Sequence, residues 1–363
     1  MRQILTTHVG SLPRGNELTP LLLARDQGKP YDAVTLERLV QAAGVSIVSD
    51  GELGKVGYAT YIKERLSGFG GNVARKPALD LAALPELRRK LALIMGEQEF
   101  VRASCVGPVQ LRTLDPCRDD IRRFCRALEG RSVRGFLNAA SPGLITAFQP
   151  NAYYPSHERY LADLVSAMRP EYCAIAASGV QLQLDCPDLA MARHTGYQDL
   201  SEEEFLKVAA ANVEALNAAT ADIAPEKMRM HVCWGNYEGP HDSDIPLERV
   251  LGIVLRARPA TILFEAANAR HEHEWKVWAE AAIPEDKVLA PGLIDTRSNC
   301  LEHPELIAQR LERFAGIVGA ERVIASTDCG FGTFAGYGKI DPAVTWKKLH
   351  ALRLGADIAA ARL

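Results

Sequence analysis

Four side chains in three separate stretches have the types and settings to bind one metal ion. They are His231 and Cys233 in His231-Val232-Cys233, Glu265 in Leu263-Phe264-Glu265, and Cys329 in Thr327-Asp328-Cys329-Gly330. An imidazole, two thiolates and a carboxylate form a recognised tetrahedral zinc set. On a strand, His231 and Cys233 face the same way with Cα atoms roughly 6.5–7 Å apart, which lets both reach one ion at about 2.0–2.3 Å. Such a ligand set more than offsets a 2+ charge. An incoming thiol would be deprotonated by the ion and still act as a nucleophile. That chemistry favours alkyl transfer to sulfur, whereas a neutral three-histidine site suits making hydroxide. Structural zinc usually comes from closely spaced knuckles, and these ligands are scattered from position 231 to 329. The plainer alternatives are a structural zinc, or a buried histidine among inert cysteines.

Something must bring distant ligands together. Apolar, β-rich runs at 4–10, 46–50, 135–140, 181–186, 229–234, 261–265, 288–293 and 322–327 read as strands, with amphipathic helices between them. Ser201-Glu202-Glu203-Glu204 is a capping box opening one helix, Pro304 opens another that Gly319 stops, and 155–178 and 341–361 also read as helices. Eight strand–helix units imply an α/β chain folded as a (β/α)8 TIM-type barrel, with a doubly wound sheet as the competitor. Residues 1–363 are read as one barrel domain. An irregular excursion at about 70–134 inserts into the first half, with a helix at 83–97 and an extra strand pair around 99–110.

Catalytic groups of such barrels gather at the carboxyl ends of the strands. Ser11, Glu52, Asp185, His231, Cys233, Glu265, Asp295 and Cys329 all fall there. Glu52 and Asp185 end otherwise apolar runs and could hold a substrate ammonium group or pair with a structural arginine. His8 adjoins Gly10-Ser11 and is a candidate pocket wall. His271-Glu272-His273 reads as a solvated first helical turn, His241-Asp242-Ser243-Asp244 as a surface loop, and Asn151 to Pro155 as either a lid or a packed loop.

The balance of the chain narrows the function classes. Of 363 residues, 47% are hydrophobic and 24% charged, as in ordinary globular proteins, so a full core is expected. A formal net charge of -3 leaves no basic footprint for nucleic acid or anionic lipid. No run is long enough for a membrane span or a signal peptide, which makes a cytoplasmic location the expectation. The eight cysteines, scattered through a long chain, are expected to stay reduced.

At these residues the chain resembles the catalytic barrel of cobalamin-independent methionine synthase and its short, single-domain relatives. The likeness runs from Thr6-Thr7-His8-Val9-Gly10-Ser11-Leu12-Pro13 to Ser326-Thr327-Asp328-Cys329-Gly330, with Gln183-Leu184-Asp185-Cys186-Pro187 and His231-Val232-Cys233-Trp234-Gly235-Asn236 as further landmarks. It implies a Zn2+ cofactor held by His231, Cys233, Glu265 and Cys329. It further implies that Ser11 contacts the carboxylate of homocysteine, that Glu52 and Asp185 receive its ammonium group, and that a methyl group passes to the thiolate. Three departures touch the donor half. The full synthase's N-terminal half is lacking, the stretch Phe136 to Phe148 has no stacking tryptophan, and Arg297 stands where the family uses a proton-shuttling histidine. The donor is therefore expected to be folate or another methyl carrier, one that a partner protein could deliver. The competing readings are thiol alkylation as in epoxyalkane:coenzyme M transferase, a metal-free decarboxylase of the uroporphyrinogen type, and a zinc-stabilised binding protein.

Overall fold

Side chains on a strand alternate between two faces, and that period sorts apolar from polar residues here. The computed structural model describes residues 3–14, 18–26, 29, 45–95, 102–336 and 340–363. Among these residues the strands are β1 (Ile47–Val48), β2 (Phe69–Gly70), β3 (Ser104–Cys105), β4 (Arg134–Ala140), β5 (Gln181–Asp185), β6 (Met228–His231), β7 (Thr261–Phe264), β8 (Val288–Ile294) and β9 (Ser326–Thr327). Leu182 and Leu184 of β5, Met228 and Met230 of β6, and Ile262 and Phe264 of β7 join the main apolar core. The alternate positions, Gln183, Asp185, Arg229 and His231, are buried polar groups.

Strands β1, β4, β5, β6, β7, β8 and β9 pair in that order, all in parallel. The expected strand 4–10 is reduced to two parallel bridges, Thr6 to Ala325 and Thr7 to Ile47, which close the sheet between β9 and β1. Side chains replace the rest of its ladder. Val9 N–H donates to Thr327 Oγ1 at 3.1 Å, and the Val9 carbonyl accepts from Asn138 Nδ2 at 3.1 Å and from Gln183 Nε2. Eight staves in a closed ring make the TIM-type barrel and exclude an open doubly wound sheet.

The helices follow their local signals. Both halves of the Ser201 capping box form at the head of Glu202–Ala219. Pro304–Val318 ends at Gly319, whose φ of 89° a side chain would resist. The expectations at 155–178 and 341–361 appear as His157–Ala177 and Pro342–Arg362. The stretch between β1 and β4 carries Pro85–Met95, in line with the helix expected at 83–97, whose last two residues lie outside the described ones. The extra pair differs from expectation. Ser104–Cys105 pairs antiparallel with Phe69–Gly70, not within 99–110, and residues 99–101 lie outside the described ones. Among the described residues no helix is long and apolar enough to cross a membrane.

Candidate metal centre and thiol pocket

Parallel register brings the strand ends level. Asp185 and His231 are partners at the ends of β5 and β6, Glu265 follows β7, and Cys329 stands two residues beyond β9. One nitrogen of His231 and the sulfurs of Cys233 and Cys329 lie within 4.8 Å of one another, the two sulfurs 3.7 Å apart. His231 Nε2 donates to the Asp328 carbonyl at 3.3 Å, which leaves Nδ1 as the free lone pair. Burial pushes the His231 pKa down to about 4, so the ring is neutral, as a ligand must be. The neighbouring Cys329 and burial push the Cys233 thiol well up. Two thiolates this close require a cation between them, and the donor set fits a thiophilic divalent one.

Glu265 does not close that group. Its Oε1 accepts from Trp234 N–H at 2.8 Å and its Oε2 from Asn268 Nδ2 at 2.7 Å. The carboxylate thus stands beside Cys233 on a firm mount, and the three-residue cluster forms without it.

Above the cluster is a cavity lined by Ser11, Glu52, Tyr58, Asp185, Met191 and Asn236 together with His231, Cys233 and Cys329. Asp185 accepts from Gln183 Nε2 at 2.9 Å and from Asn138 Nδ2 at 3.2 Å. Glu52 sits at a φ of 52°, a costly backbone for a side chain, and its buried Oε2 has no partner. Burial, reinforced by the Asp185 charge, lifts Glu52 to about 8, and burial lifts Asp185 to about 6. Lys55 and Arg14 act on Glu52, and Lys55 and Arg229 on Asp185, without offsetting that burial, so a ligand's cation would be favoured between them. Ser11 closes the wall. A Cβ on Gly330 would run into Ser11 Oγ and come within 3.1 Å of its amide, so glycine keeps that approach open.

Several expected residues are placed elsewhere. His8 does not line the cavity. Its Nε2 accepts from Ser49 N–H at 3.2 Å and its ring packs on Phe136, 5.3 Å between centroids. Burial and the nearby Arg229 hold its pKa near 3, which makes it a neutral core histidine. Arg297 does not line the cavity either: its Nε donates to Asp295 Oδ1 at 3.3 Å. Its charge lies in the field of Glu265, Asp295 and Asp328, which outweighs the cost of burial. The surface readings of His241 and His271 are overturned, because both are buried. Asp244 binds them both at 3.0 Å, and His271 also meets Glu274 at 2.8 Å. Burial opposes charge on His271, yet Asp244 and Glu274 prevail and raise it to about 10. Of the 151–155 loop, Tyr154 is packed down, stacked on Tyr160 and bonded to Asp163 at 2.7 Å.

The sequence reading missed Tyr58, Asn138, Asn236, Asn268 and Asp328. Asn138 and Gln183 carried a signal as polar residues inside apolar strands. Tyr58 carried none. Its ring packs on Phe148, 5.3 Å between centroids, and Phe148 lines a second cavity of about 350 Å³. That cavity is also lined by Thr146, Gln149, Arg75, Arg102 and the ion pair of Lys76 with Asp199, with the Arg75 guanidinium 3.9 Å from the Phe148 ring centre.

The family described as "Cobalamin-independent synthase, Catalytic domain" matches residues 111–344. A methionine synthase of Thermococcus kodakarensis is 23% identical over 366 aligned positions, covering 97% of this chain and 92% of the relative. One from Saccharolobus solfataricus is 22% identical, covering 90% and 87%. The structure of a B12-independent methionine synthase from Shewanella sp. W3-18-1, in complex with selenomethionine, superposes with a TM-score of 0.74 at 20% identity, covering 99% of each chain. A putative vitamin-B12 independent methionine synthase from Listeria monocytogenes superposes with a TM-score of 0.62, also at 20% identity, covering 98% of this chain and 99% of that one. With well over half of its length matched, the chain is a member of the cobalamin-independent synthase family and carries that family's catalytic domain.

Proposed function

We propose that this enzyme transfers a methyl group to the thiol of homocysteine, at a zinc ion held by His231, Cys233 and Cys329 with Glu265 as the fourth ligand. The observation that carries this reading is the meeting of two groups across one cavity. A thiophilic cluster forms one wall and the cation-seeking pair Glu52 and Asp185 another. The names of the curated relatives support homocysteine as acceptor.

When bound, the metal supplies a charge that keeps a guest thiol deprotonated while leaving it nucleophilic. Glu52 and Asp185 fix the ammonium end, and Ser11 faces the carboxylate. Asn138 and Gln183 hold Asp185 in place through the bonds already described. Arg297 cannot release a proton, so it does not replace the family's shuttle histidine. It steadies the carboxylates of Glu265, Asp295 and Asp328 instead. The donor reaches the sulfur from the second cavity, across the ring contact of Tyr58 with Phe148. The cations on that cavity suit a carrier with acidic groups, whether free or brought by a partner protein.

The carboxylate pair also bears on the coenzyme M alternative, since a sulfonate would meet Glu52 and Asp185 as like charges. Isothermal titration of the zinc-loaded protein separates the two. Homocysteine is expected to bind and coenzyme M to fail. Binding of the sulfonate thiol alone would overturn the assignment, and absence of stoichiometric zinc in the purified protein would remove its metal.

A further inference from the structure

Asp328 is buried, at 2% exposure, among the candidate ligands without joining them. Its Oδ1 accepts from the N–H groups of Ala266 and Ala267, each at 2.9 Å. Its Oδ2 accepts from Asn268 Nδ2 at 3.0 Å, and the same amide nitrogen donates its other proton to Glu265 Oε2 at 2.7 Å. One NH2 group therefore bridges two carboxylates. Through its main chain, Asp328 receives His231 Nε2 and donates to the Ile294 carbonyl at 3.1 Å. Cys329 is the next residue.

Space for this carboxylate is built into the neighbouring strand. A Cβ on Gly292 of β8 would lie 2.5 Å from Asp328 Cα and collide with Oδ1. Together, the side chain and the glycine lock the loop after β7 to the turn after β9.

We infer that Asp328 is the positioning residue of the metal centre: it sets the mount of Glu265, the ring orientation of His231 and the approach of Cys329 before any ion arrives. The inference rests on the zinc reading given above. An ordinary tie between two loops would contribute to stability alone. A positioning role also changes how tightly and in what geometry the metal is held.

Asp328→Asn separates these. The new amide can accept from Ala266 and Ala267, but its nitrogen then faces Asn268 Nδ2, donor against donor. Asn268 must turn, and Glu265 loses one of its two anchors, keeping only Trp234 N–H. Gly292→Ala pushes on both the carboxylate and the main chain of Asp328 while adding no polar group, and serves if the first variant does not fold. Zinc affinity is read by chelator competition, and geometry by the sulfur-to-cobalt charge-transfer band of the cobalt-substituted protein.

Loss of an outer-shell partner typically costs about 10- to 100-fold in metal affinity. A weakening of that size with an altered cobalt spectrum is expected in both variants. Ser201→Ala, on a distant helix, should lose stability while keeping zinc affinity. An affinity unchanged from the parent and an unchanged spectrum, whatever the melting temperature, would reduce Asp328 to a structural tie. A parent protein that takes up no zinc would instead bring down the metal reading itself.

Discussion

Glu52 and Asp185 are two acids whose protonation burial has made sensitive to neutral pH. In the free protein both pKa values are raised, to about 8 and about 6. The folded state therefore binds more protons than the unfolded state above pH 4 to 5, and stability falls as pH rises towards 8. Urea unfolding between pH 5 and 8 should show that decline, and Glu52→Gln should flatten it. Ligand binding has the opposite sign, because an ammonium group needs both acids ionised. Homocysteine affinity should fall as pH drops from 8 to 6, by up to about tenfold per pH unit for each proton taken up. A thiol of equal length without the amino group should lack that component in parallel titrations. Glu52→Gln should weaken homocysteine by about 10- to 100-fold, matching the roughly 1.5–3 kcal/mol of a charged hydrogen bond. At this scale the ligand types were legible from chemistry alone, since soft and anionic residues at strand ends invite a metal. The placement of His8 was not legible, because a histidine beside a pocket residue and one turned to a backbone amide look alike in sequence. Nor was the burial of His271, which depends on Asp244 arriving from another loop.

Elements were read most securely where one local interaction decides them. The capping box at Ser201 is one such case, and both of its hydrogen bonds are formed. Ser201→Ala should cost about 1 kcal/mol, seen in calorimetry as a drop of roughly 1–3 °C in a chain of this length. Steady-state activity should not change. Elements that depend on distant partners were read poorly. Strand 4–10 keeps only two backbone bridges because the side chains of Thr327, Asn138 and Gln183 take over its remaining groups. The pairing of β2 with β3 joins the start of the excursion to residues well inside it, and no local pattern announces it.

The whole molecule rests on its apolar core, with aromatic contacts such as Phe264 against Trp278 at 4.2 Å and Phe314 at 5.5 Å. Removing the ion with a chelator, or Cys233→Ser, should abolish methyl transfer while moving the melting temperature by only a few degrees. Unfolding of either form at ambient temperature would mean that the metal is structural. The barrel closes only when Thr6 meets Ala325, almost at the opposite end of the sequence. A ribosome must therefore carry synthesis past Ala325 before the last stave can dock and Cys329 can approach Cys233. On the zinc reading, metallation is thus a late step of biogenesis, and zinc scarcity should leave a pool of idle barrels ready to be charged when the metal returns.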